Sequence, residues 1–187
     1  MRTQLGSSDD DERAMADLAE VPDWNRVWGP PAVGLDAVRA MAERVSAATG
    51  WRPWAPGEID PHQYTWGLVT PRETVMVVLA DAVLPDSPRG SWSAYEIGPD
   101  DVADAAAGLD AHWPGQLELA RRYWGLPAFV GRGSDPRIPD EWRDRRRHLA
   151  VWLRPGAEIH LYAGLPSPDS PTRAVGFGYS VYATEVA

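Results

Sequence analysis

The sequence predicts an α+β fold: a largely antiparallel sheet of about six strands with helices packed mainly on one face. Three observations lead there. Apolar runs with strand character fall into two groups, 64–97 and 128–184, whose internal links are mostly short and rich in Pro and Gly. Helical apolar spacing precedes the first group and separates it from the second. No internal repeat is present, so the pattern describes one domain rather than an array.

The elements follow in order. Residues 1–22 form an acidic N-terminal segment, in which Asp9, Asp10, Asp11 and Glu12 precede apolar positions at Ala14, Met15, Leu18 and Val21. Carboxylates at a helix start oppose the positive end of its dipole, so a short helix is expected after a loose, solvated lead. An arm for a basic partner is the functional alternative. Residues 23–187 then read as a single α+β domain. Leu35, Val38, Met41, Ala42, Val45 and Ala48 mark one face of a second helix, closed by Gly50.

Strands are expected at 64–70, 73–84 and 91–97. The middle run lacks alternation and reads as buried on both faces. A third helix starts near Pro99 and carries Val102, Ala105, Ala106 and Leu109; Pro114 and Gly115 are expected to interrupt it before Leu117, Ala120, Tyr123 and Trp124. A short strand at 128–130 and a loop at 131–139 follow. The clearest hairpin pairs 149–153 with 158–163 around Pro155 and Gly156, the type II turn pattern. A tight turn there sets Val151 opposite His160 and Arg154 opposite Ala157, and sends His148 and His160 to opposite faces. The last strand spans 174–184.

Composition narrows the chemistry. The chain has 187 residues with ten Trp, eighteen Arg, no Lys, no Cys and a net charge of -9. Without Cys there is no disulfide framework, Cys-ligated zinc or thiol catalysis. Without Lys there is no Schiff base and no phosphate loop of the Gly-x-x-x-x-Gly-Lys kind. The four histidines match no helical zinc motif, so no metal and no cofactor is expected. No run approaches the ~20 apolar residues of a membrane span. The expectation is a soluble, cytoplasmic protein.

Charge is unevenly placed. Met1 to Asp23 holds two Arg against seven acids, whereas Arg121 to Arg147 holds eight Arg against four acids. The overall negative field disfavours nucleic acid and speeds encounter with a cationic protein. Trp and Arg are also the side chains that anchor desolvated protein contacts, where Lys contributes little. Candidate partner-binding residues are therefore the tryptophans of turns and loops, Trp24, Trp28, Trp51, Trp54 and Trp142, with Arg143, Arg145 and Arg146 beside the last. Internal salt bridges are the competing role for that Arg cluster. Trp66, Trp92, Trp113, Trp124 and Trp152 are expected in the core.

Glu158, His160 and Tyr162 alternate onto one strand face and form the best polar triplet for a small-ligand or catalytic cleft. Such a row is more often the solvated side of a sheet.

In size, charge, Trp content and element order, the chain resembles the small acidic α+β immunity proteins that protect high-GC bacteria from their own polymorphic toxins. That resemblance implies a non-catalytic binding protein that occludes a cognate toxin domain, often a basic nuclease or an NAD-consuming enzyme. It assigns no residue roles. An enzyme or small-ligand binder using a cleft beside the sheet is the alternative.

Overall fold

A computed structural model describes residues 3–4, 8–29, 35–54, 66–79, 82–85, 92–96, 102–138, 146–164 and 174–184. Three α-helices lie at Ser8–Ala19 (α1), Leu35–Thr49 (α2) and Val102–Trp124 (α3). Ten strands are described: Thr3–Gln4 (β1), Arg52–Pro53 (β2), Trp66–Val69 (β3), Val75–Val78 (β4), Ala82–Pro85 (β5), Trp92–Glu96 (β6), Phe129–Arg132 (β7), Arg146–Arg154 (β8), Ala157–Gly164 (β9) and Ala174–Ala183 (β10). They form one antiparallel sheet in the order β2-β3-β4-β5-β10-β9-β8-β7, with β6 beside the first half of β10 and β1 beside β6. The protein is α+β.

Alternation along β10 divides the sheet. Val175, Phe177, Tyr179 and Val181 point to one face, which holds the main core, while Gly176, Gly178, Ser180 and Tyr182 point to the other. Register carries the division outward. Leu68, Met76, Val78 and Val83 share the Val181 face, as do Ala150, Trp152, Ile159 and Leu161. Met15 and Leu18 of α1, Met41 and Val45 of α2, and Leu109, Trp113, Leu117 and Trp124 of α3 pack into that same core. All three helices therefore cover one face.

The acidic stretch is part of this core. Spacing of three and four residues puts Asp11, Ala14, Met15 and Leu18 on one face of α1, and all four are buried. Asp11 accepts hydrogen bonds from Gln116 (3.1 Å) and Tyr179 (3.4 Å). Asp17 accepts from the Thr70 hydroxyl and from Arg72 (2.8 Å), whose guanidinium also pairs with Glu20. Residues 8–20 are thus bound to the sheet and to α3, and the boundary that charge suggests at residue 22 is not a boundary of packing.

Three expectations change. The run 73–84 is two strands, β4 and β5, joined where Leu79 N–H donates to Ala82 C=O at 2.8 Å. Asp81, a turn former, interrupts an otherwise apolar run, and β4 alternates half-buried and buried instead of burying both faces. Short pairing segments at β1 and β2 and the division of 73–84 add three strands to the seven runs of the sequence, so ten are described where about six were expected. Finally, α3 runs unbroken through Pro114. Pro114 is exposed and removes one backbone hydrogen bond, while Ala105, Ala106, Leu109, Trp113, Leu117, Ala120 and Trp124 bury a continuous stripe on both sides of it. Packing outweighs the local penalty. Pro114→Ala should therefore raise stability by about 2 kcal/mol, read as a higher urea midpoint; an unchanged midpoint contradicts this.

Candidate functional site

The β8–β9 hairpin builds the polar centre of the sheet face opposite the three described helices. Gly156 takes φ +78° in its turn, a conformation that glycine adopts without strain. Val151 lies opposite His160 and Arg154 opposite Ala157, the expected register. Glu158, His160 and Tyr162 consequently share a face, and their β10 neighbours are Tyr182, Ser180 and Gly178. Tyr162 lies over Gly178: a Cβ there would sit 2.6 Å from the phenol ring.

A bulge completes the group. Arg146 pairs with Gly164 and His148 with Ala163, which leaves Arg147 as the extra residue. Arg146 therefore turns to the His160 face and is buried there. Its guanidinium donates to His160 Nδ1 (3.0 Å) and to the Tyr182 hydroxyl (3.2 Å), and lies 4.5 Å from the Tyr162 ring centre. His160 Nε2 lies 3.0 Å from the Glu158 carboxylate. Because Arg146 can only donate, Nδ1 accepts and the imidazole carries its proton on Nε2, which donates to Glu158. A neutral imidazole thus bridges a cation and an anion.

Electrostatics agree with that tautomer. Burial pushes the His160 pKa down to about 4; the Glu158 hydrogen bond opposes the shift and Arg146 adds to it. Burial also raises the Tyr162 phenol above its ordinary value. His160 is fully buried with both ring nitrogens engaged, so the group cross-links β8, β9 and β10. A proton acceptor must be reachable in some substrate pose, and in this arrangement His160 is not.

The other candidates separate. Trp24 and Trp51 are core residues with 2% and 4% exposure, which leaves them no surface to offer a partner. Trp28 is half-buried and stacks on Trp24 at 5.7 Å. Trp54 is half-buried against Gly67, where a Cβ would meet its ring. Trp142, Arg143 and Arg145 lie outside the described residues, as does the side chain of Trp92. Loop tryptophans are drawn inward because an indole removes more apolar area from water than any other side chain.

A second constellation, not singled out from the sequence, occupies the helix face. Asp110 on α3 accepts from Arg147 Nε (2.7 Å) and lies 2.6 Å from His148 Nε2, while the His148 ring stacks on Trp113 at 5.0 Å. The Arg147 hydrogen bond, aided by His148, holds the Asp110 carboxyl well below the usual range. His148 and His160 lie on opposite faces, as the alternation required. Among the described residues no three His, Asp or Glu side chains gather in a metal-binding geometry. No described helix is long and apolar enough to cross a membrane.

A third feature lies at the sheet edge. Leu126 (85% exposed), Val130 (39%) and Leu153 (59%) are the exposed large apolar side chains among the described residues. All three belong to the β7 end of the sheet: Leu126 precedes β7, Val130 is within it, and Leu153 is on its neighbour β8. Arg132, also exposed, is on the same strand.

No protein-family model, curated protein or solved structure matches the chain. What the fold defines is a class: an α+β protein with one antiparallel sheet, the described helices on one face and a hydrogen-bonded Arg146–His160–Glu158 group on the other.

Proposed function

We propose that this chain is a non-catalytic binding protein of the immunity type, which occludes a cognate toxin domain or another protein partner. One observation carries the reading: the exposed large apolar residues of the described chain gather at a single sheet edge. Val130 lies on the helix-side face of that edge, with Ala150, and Leu153 on the opposite face, with Val151, so a partner would meet them by wrapping the edge. The net charge of -9 supports a basic partner by accelerating encounter.

The reading requires a secreted-toxin reading frame beside the gene for this chain. Its product, mixed with the purified chain, should form a stoichiometric complex at micromolar concentration or below. Absence of that neighbour, or two separately migrating species at micromolar concentration, overturns the immunity reading.

The alternative, a small-ligand or catalytic site at Glu158, His160 and Tyr162, draws support from their convergence with Arg146. It needs an opening that exposes His160 to solvent, and a ligand that shifts His160 resonances would favour it.

A further inference from the structure

We infer that the β7 edge binds its partner by strand addition, taking an extended segment that carries an apolar side chain and a carboxylate two residues apart. The inference rests on the protein-binding reading and specifies its mode.

Among the described residues β7 pairs with β8 alone, and none of them pairs with its other side. The direction of its backbone groups is set by register. Gly133 N–H donates to Arg147 C=O at 3.0 Å, in step with the pairing of Gly131 to Leu149 and Phe129 to Val151. Antiparallel strands alternate the side to which each residue turns its N–H and C=O. Phe129 and Gly131 therefore bond toward β8, while Val130 turns its N–H and C=O outward and Arg132 its N–H, the Arg132 carbonyl accepting from Asp135 N–H at 2.8 Å. A sheet edge of this kind is a template for a further strand.

Side chains specify which strand. Val130 and Arg132 project to the same face, two residues apart, so an incoming strand sets two of its own alternate side chains beside them. Val130 asks for an apolar neighbour. Arg132 is exposed, forms no ion pair or side-chain hydrogen bond with the described residues, and offers a cation complementary to a carboxylate. A second copy of this chain fits less well, because antiparallel pairing of two β7 strands sets each Arg132 opposite Val130 and gives it no carboxylate.

The test uses the full chain with a threonine heptapeptide bearing Val and Asp two apart, and a counterpart with Lys in place of Asp. Hydrogen exchange by NMR should show the amides of Val130 and Arg132 slowed at least about tenfold by the Asp peptide, with Phe129 and Gly131 unchanged. Val130→Pro removes an outward donor without touching the β8 ladder and should abolish the effect. Arg132→Glu should reverse the preference between the two peptides, and it keeps the test decisive if the proline variant fails to fold. No protection at millimolar peptide, protection that survives Val130→Pro, protection of these amides without peptide as the chain dimerises, or equal response to both peptides each overturns strand addition. If a toxin complex forms and ignores both variants, the binding reading stands and strand addition falls. If the peptides behave as stated and no toxin binds, only the immunity reading falls.

Discussion

Trp124→Ala should destabilise the protein by about 3–5 kcal/mol, a large part of the total for a domain whose whole stability is on the order of 5–15 kcal/mol. Trp124 closes α3 and is 2% exposed. Its ring meets Trp152 edge-on at 5.1 Å and Tyr179 at 6.0 Å, and its indole N–H donates to the Met15 carbonyl at 2.9 Å. The side chain therefore joins α1, α3, β8 and β10. An alanine leaves a void that rigid strands on one side and two helices on the other cannot fill. Trp124→Phe keeps an aromatic face toward Trp152 and Tyr179 and should recover much of the loss. Urea unfolding checks the pair; a loss below about 1 kcal/mol for the alanine variant would show that α1 and α3 do not share a core through this residue.

The elements most legible in the sequence are those whose local and tertiary preferences agree. The β8–β9 hairpin is one, since Pro155 and Gly156 fix the turn and the turn fixes the register, down to Val151 opposite His160. The second helix is another, with Gly50 at φ +75° just beyond its end. Legibility fails where tertiary packing decides. Pro114 looks like a helix break because its cost is local, whereas the compensation comes from Trp113 and Leu117 meeting a sheet assembled from distant segments. Very short strands such as β1 and β2 have no periodicity to read; they exist because a neighbour offers an edge.

The polar centre shows a similar split. Period-two alternation brings Glu158, His160 and Tyr162 together, and the structure does so. Its place in a charge run points Arg146 to a recognition surface, and simple alternation from Leu149 and Val151 puts Arg147, not Arg146, beside His160. The bulge at Arg147 reverses the two, sending Arg146 to His160 and Arg147 to Asp110 on α3. An extra residue in a ladder leaves no mark in composition or spacing. Nor could the sequence tell that His160 is buried, since a solvated polar row and a buried hydrogen-bonded group share one pattern.

Acidification should destabilise the protein through His160 before its low-pKa carboxylates take part. The folded pKa of His160 is about 4 against an ordinary value of 6.5. A depressed histidine binds its proton more readily in the unfolded chain, so its contribution to stability is fully present above pH 6.5 and declines as pH falls toward 4. At 1.36 kcal/mol per unit the ceiling is about 3 kcal/mol. Asp110 also has a lowered folded pKa, from an ordinary 3.8, and its contribution is lost only as pH falls below that range. Glu20 is likewise held low by its Arg72 hydrogen bond, from an ordinary 4.5, so the interval from pH 6.5 to about 5.5 reports on His160. Protonation there puts a second cation beside the Arg146 guanidinium and removes the lone pair that Arg146 uses, so the β8–β9–β10 cross-link is broken as well as charged. His160→Asn keeps an acceptor for Arg146 and does not titrate. Urea midpoints across this interval should fall steeply for the parent chain and stay level for the variant. Parallel declines in the two proteins would assign the acid sensitivity elsewhere and remove the case for a neutral, buried imidazole at position 160.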